Sequence, residues 1–191
     1  MPAPTTLDDR QALIDAGLAL LRGHGAETFT VNDVLAEAGL STRAFYRHFA
    51  SKESLVLAVY EQDARRSSAR LRDRMTASGS IRGALEVWID ETLALGFAPA
   101  RAKRTRPLAR EGLHLQAQFP QEFAKIVAGI IDPLVAVLRL VPTADPERDA
   151  RTMHTICWSL VQEKLAGGKL TREEARAHAR RFCLPVIGEH A

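Results

Sequence analysis

The chain has 191 residues, 46% hydrophobic and 26% charged, enough to bury a substantial core without disulfides or metals, which excludes disordered and collagen-like architectures. Its 26 Lys+Arg against 23 Asp+Glu leave a net charge of +3, too small by itself to establish a polyanionic partner, so the distribution of charge must decide. Cys157 and Cys183 are far apart, lack C-x-x-C spacing and read as buried thiols of a reducing compartment. Met1 to Asp9 has neither the basic nor the apolar region of a signal peptide and reads as a flexible tail. The most apolar run, Ile126 to Val141, is broken by Asp132, Pro133 and Arg139 and is too short to span a bilayer, so the expected location is cytoplasmic.

Apolar residues recur at helical spacing along nearly the whole chain, with no long alternating pattern, so the expected fold is all-α with about nine helices. Leu13, Ile14, Gly17, Leu20 and Leu21 form one stripe of a first helix that should stop at Gly23-His24-Gly25. Thr30 is placed to cap a second helix, with Asp33 completing a capping-box-like pair, Val34, Leu35 and Ala38 inward, and Gly39 at the end. Ser41 caps a short third helix through Phe49, and Ser51 a fourth running toward Met75. Past Ser78-Gly79-Ser80 the pattern predicts a helix over Ile81 to Phe97 and a loop around Pro99. It then predicts helices over Pro107 to Gln116, Gln121 to Leu140, Pro146 to Ala166 and Thr171 to Leu184, the seventh kinked or restarted at Pro133.

The informative stretch is Thr30 to Leu55, TVNDVLAEAGLSTRAFYRHFASKESL. Two short helices joined by Gly39-Leu40-Ser41 have the tight glycine-containing connection of a helix-turn-helix. On a helical wheel Thr42, Arg43, Tyr46 and Arg47 share one face, while Ala44, Phe45 and His48 point elsewhere and Phe45 anchors the inner side. Hydroxyl, guanidinium and phenol groups on one face suit a major groove, although an ordinary solvated helix face has the same composition. The acids Asp8, Asp9, Glu27, Asp33 and Glu37 all precede the third helix, leaving Arg43, Arg47 and Lys52 to dominate the contact surface.

The run AGLSTRAFYRHFASKESL, preceded by FTVNDVLAE, closely resembles the DNA-binding region of the tetracycline-repressor (TetR) family of bacterial regulators, over roughly Leu13 to Tyr60. The resemblance implies phosphate contacts by Thr30, Tyr46, His48 and Lys52, base contacts by Asn32, Thr42, Arg43 and Ala44, and either role for Arg47. It implies residues 1–50 as a helix-turn-helix DNA-binding domain, with 1–9 as its tail, and 51–191 as a ligand-binding and dimerisation domain.

The partners so implied are double-stranded operator DNA, a small-molecule effector and a second copy of the chain, and the role is that of a repressor that the effector releases from a pseudo-palindromic operator. The fourth helix, starting beside DNA at Lys52 and reaching the ligand domain by way of Tyr60, is the expected mechanical link. For self-association the candidates are the stripes Met153, Ile156, Cys157, Leu160 and Val161 and Ala175, Ala179, Phe182 and Val186, which equally could face the chain's own core. Trp88, Glu91, Thr92 and Leu95 follow i, i+3, i+4, i+7 spacing and, with Leu57, Tyr60, His114, Phe123, Val127 and Trp158, are candidates for an apolar ligand cavity or a filled core. The run Arg101 to Arg110 has five basic side chains and no acid, the pattern of a solvated loop face or an anion contact.

Catalytic signals are missing. Gly167-Gly168-Lys169 has Glu163 and Leu170 where a phosphate loop needs Gly and Ser or Thr, and the six histidines show no metal-ligand spacing. No cofactor and no metal are expected and the chain does not read as an enzyme, the weakest alternative being a helical enzyme using Glu91 or His114 as acid–base groups.

Overall fold

In the computed structural model residues 6–24 and 29–188 are described, and they are helical almost throughout, with no strand among them. The order is α1 (Thr6–His24), α2 (Val31–Ala38), α3 (Thr42–His48), α4 (Lys52–Ala77), α5 (Ile81–Phe97), α6 (Pro99–Gln118), α7 (Pro120–Leu138), α8 (Pro146–Leu165) and α9 (Arg172–Cys183), followed by a 3-10 turn at Leu184–Ile187. Residues 6–9 of the expected tail are the first turn of α1, where Asp8 and Asp9 suit the positive end of the helix dipole. The rest of that tail, residues 1–5, lies outside the described residues, as do Gly25, Glu27 and His190.

The caps fall where short-range side-chain chemistry puts them. Ser80 accepts the Gly83 N–H at 3.0 Å to start α5, and Thr171 and Glu174 form a reciprocal capping box at α9. The expected loop at Pro99 is instead the start of α6, and Pro107 lies inside that helix. A proline in the first turn loses no intrahelical hydrogen bond, and the Ala-, Arg- and Leu-rich sequence that follows favours helix. α7 likewise continues through Pro133. Having no N–H, Pro133 leaves the carbonyl of Gly129 without its helical donor, and the Ser68 hydroxyl of α4 donates to that carbonyl at 2.8 Å.

Two compact units divide the chain, one of Met1–Asp63 with Pro107–Ile126 and the other of Ala64–Arg106 with Val127–Ala191. The core of the first gathers Leu13, Ile14 and Leu21 of α1, Phe45 of α3 and Leu55 and Val59 of α4, and Leu115 of α6 is buried in the same cluster. Leu115 adds to the apolar surface that the helices of the N-terminal segment supply to this core.

The core of the second unit packs Leu85, Trp88, Ile89 and Leu93 of α5 against α8 and α9, with Leu134 and Leu138 of α7. Gly96 allows this approach, since a Cβ there would lie 3.1 Å from the Val161 carbonyl oxygen of α8. Six of the nine candidates for self-association, Met153, Cys157, Leu160, Val161, Ala175 and Ala179, are buried in this core and are corrected to internal packing. Ile156 and Val186 are half-buried, and Phe182 is 53% exposed. Cys157 and Cys183 are both free and buried, and the hydrogen bond between them together with burial pushes the Cys157 thiol up.

Candidate nucleic-acid interface

Every turn around α3 is fixed locally. The Thr30 hydroxyl accepts from the Asp33 N–H at 3.3 Å while the Asp33 carboxylate accepts from the Thr30 N–H at 2.7 Å, which holds the Asp33 carboxyl below the usual carboxylate range. α2 ends at Gly39 with φ of 66°, in the left-handed region that side-chain-bearing residues avoid. The Ser41 hydroxyl then accepts the Ala44 N–H at 3.3 Å and opens α3. Phe45, fully buried and 5.8 Å from the Phe49 ring, holds the inner side of the helix and so sets which residues face out.

Thr42, Arg43, Tyr46 and Arg47 are exposed together, with Thr30 and Asn32 exposed at the start of α2. Tyr46 is 58% exposed, its ring edge-on to Phe45 at 5.3 Å, so an anchored phenol stands out from the face. Two of the expected contact residues are less exposed than the residues of this face. Ala44 is buried beneath the face, and the His48 Nε2 is buried without a hydrogen bond among the described residues.

The charges are arranged differently from their order in the sequence. Arg43 has no ion pair among the described residues, whereas Arg47 Nη2 is paired with the carboxylate of Asp9, 38 residues earlier on α1. Asp9 is therefore not remote from the third helix, a partnership that the acidic first turn of α1 hints at but spacing alone does not reveal. Lys52 donates from Nζ to the Phe29 carbonyl at 3.3 Å and lies 5.4 Å from the centre of the Phe29 ring. The face thus combines a guanidinium, hydroxyls and a phenol, donor groups that match guanine edges and phosphate oxygens.

The ten ligand-cavity candidates divide between the units. In the second, Trp88 is 1% exposed and Thr92 is buried, Leu95 and Trp158 pack against the core, and Val127 is half-buried. Glu91 accepts from Arg101 at 2.8 Å and is paired also with Arg74, so it is a doubly clamped carboxylate instead of a lone acid among apolar groups. In the first unit Leu57 packs partly buried on the core, and Tyr60 lies 5.6 Å from the Phe123 ring. Burial pushes the Tyr60 phenol up to about 12, and the charge of Asp63 acts in the same direction.

His114 is exposed and Leu115 takes the buried place beside it, which corrects the inward placement of the histidine. Two surface clefts, one lined by Asp145, Glu147, Arg148 and Arg151 and one by Arg82, Ala177, Arg180, Arg181, Leu184, Pro185 and Gly188, include none of the ten. The basic run is helical instead of a loop, and Arg101 is its member bound to Glu91. Among the described residues no cluster of three or more ligating side chains forms a metal site, and no helix is long and apolar enough to cross a membrane.

Residues 13–59 match the family model of bacterial regulatory proteins, tetR family. A stretch of 119 residues is 32% identical to the HTH-type transcriptional regulator CymR of Pseudomonas putida, covering 58% of this chain and 59% of that protein. The fold is similar to that of E. coli NemR in its reduced form, with a TM-score of 0.66 and 20% identity over 92% of this chain and 97% of the other. It is similar also to the transcriptional regulator FadR from Bacillus subtilis in complex with stearoyl-CoA, with a TM-score of 0.64 and 15% identity over 95% and 99% of the two chains.

Proposed function

We propose that the chain is a TetR-family regulator, as the match over residues 13–59 and the likeness to CymR support, and that it is a homodimeric, ligand-responsive transcriptional repressor whose α3 reads operator DNA in the major groove. The observation that carries this reading is the exposed face of Thr42, Arg43, Tyr46 and Arg47 on a helix whose orientation Phe45 and Ser41 fix. Arg43 supplies a bidentate donor for a guanine edge, Thr42 and Tyr46 supply hydroxyls for bases or phosphates, and the ordered turn carries little entropic cost on binding. Thr30, Asn32 and Lys52 flank the helix as backbone contacts.

One seven-residue helix reaches only a few base pairs, so a pseudo-palindromic site read by two copies supplies the missing discrimination. The outer faces of α8 and α9 suit that second copy. The hydroxyls of Thr152, Thr155 and Ser159 donate to carbonyls of their own helix at 2.8 to 3.0 Å, which leaves a stripe of small groups beside Ile156. On α9 the exposed Phe182 ring lies 4.8 Å from the His178 ring, tilted 44° to it. The effector acts by binding one arrangement of the helices better than another. A coupling of about 3 kcal/mol weakens operator affinity roughly 150-fold.

Selection of duplexes from a random library by the full chain tests the reading. A pseudo-palindromic consensus supports it, and no preference over scrambled competitors overturns it. Sedimentation gives the state of association, with a monomer at micromolar concentration, both with and without the selected duplex, counting against the two-copy reading. A second reading, a dimeric DNA binder that senses nothing, is favoured by the close packing of Trp88 in the second core. A thermal-shift screen of small molecules separates the two, since an effector raises the melting temperature by mass action.

A further inference from the structure

The contact between Asp9 and Arg47 assigns a task to a residue outside the helix-turn-helix. Asp9 lies in the first turn of α1 with its side chain 9% exposed, whereas Arg47 stands 49% exposed on the outer face of α3. A carboxylate that buried is costly unless paired, and its ion pair here is to Arg47, which favours keeping the contact in the folded unit. An untethered arginine on such a face is a mobile cation that any phosphate satisfies. Held through one proton of Nη2, Arg47 keeps a single two-donor edge, made with the other Nη2 proton, in a set direction, and the neighbouring carboxylate offsets its charge.

We propose that Asp9 is a positioning residue for DNA recognition: it withdraws the Arg47 charge from sequence-independent phosphate binding and orients the remaining guanidinium edge toward one feature of the operator. The proposal rests on the DNA-binding reading above. It makes α1 part of the specificity apparatus without requiring Asp9 to touch DNA.

The test measures binding of the full chain to its selected duplex and to a scrambled duplex at 50 to 200 mM salt, for the wild type, Asp9→Asn, Arg47→Lys, Arg47→Gln and the double variant Asp9→Asn/Arg47→Gln. Asp9→Asn is expected to bind the scrambled duplex more tightly and to lose about 3.5-fold more affinity over that salt range, the effect of one additional phosphate contact. Its preference for the selected duplex should fall by about fivefold or more. Both changes should vanish when Arg47 is already Gln. Arg47→Lys keeps the charge and the folded surface but loses the planar fork, so it should lose preference while keeping scrambled-duplex affinity. Unchanged slope and preference in Asp9→Asn and Arg47→Lys, or an Asp9→Asn effect of equal size in the Arg47→Gln background, overturns the proposal and leaves the DNA reading intact. A wild type with no duplex preference removes both.

Discussion

Stability of the second unit should depend on pH through His154. Its Nδ1 is buried on α8 without a hydrogen bond among the described residues, and its ring stacks on Trp158 at 6.2 Å and 13°. Burial disfavours the imidazolium and pushes the pKa from 6.5 down to about 4. Between these values the unfolded chain holds a proton that the folded chain refuses, so stability falls as pH drops through 6.5, and the loss is complete below about pH 4. It amounts to about 2 kcal/mol at pH 5, with a ceiling of about 3 kcal/mol. Urea unfolding followed by tryptophan fluorescence at pH 7.5 and pH 5.0, for the wild type and His154→Leu, isolates this contribution, because other titrating groups are shared. The variant should lose about 2 kcal/mol less than the wild type over that interval. Equal losses, or an imidazole proton resonance titrating near 6.5 in the folded protein, would refute the reasoning.

Phe45→Ala removes the buried anchor of α3 and should cost about 3 to 5 kcal/mol, read as a fall in the unfolding midpoint, with loss of duplex preference before loss of overall helicity by circular dichroism. Ser68→Ala deprives the Gly129 carbonyl of its donor beside Pro133 and should cost about 1 kcal/mol by urea unfolding, a cost that should nearly vanish when Pro133 is replaced by Ala and the helical donor returns. Arg43→Ala should weaken binding to the selected duplex by about 1 to 3 kcal/mol and to scrambled duplex much less, as measured by fluorescence anisotropy at fixed salt. Phe182→Glu places a charge on the outer face of α9 and should shift sedimentation toward the monomer without lowering the melting temperature of the second core.

Features set by neighbours within four residues can be read directly from the sequence. The cap at Thr30 with Asp33, the left-handed Gly39, the Ser41 cap and the Thr171 box with Glu174 each need only local partners. Prolines behave differently because their cost depends on what the rest of the fold supplies. Pro99 looks like a breaker and is instead the first residue of α6, where its missing N–H costs nothing. Pro133 looks like a break in α7 and is bridged by Ser68, 65 residues earlier (133 − 68), whose hydroxyl answers the carbonyl that the proline leaves. No local pattern encodes that pairing.

The site divides in the same way. Helical spacing places Thr42, Arg43, Tyr46 and Arg47 on one face, and that face is exposed, yet spacing cannot tell a free guanidinium from one already held by Asp9. The stripes of α8 and α9 pose the same question of occupancy. Periodicity groups Met153, Ile156, Cys157, Leu160 and Val161 but leaves open whether a second copy or the chain itself covers them. Gly96 decides, because without a Cβ α5 comes close enough to Val161 to bury the stripe internally. In the proposed dimer the second copy is left with the flanks and outer side of these helices, where Phe182, Ile156 and small residues stand instead of a continuous apolar band. If the proposed association uses so sparse a surface, it depends heavily on the exposed Phe182, which is why a single charge there should suffice to weaken it.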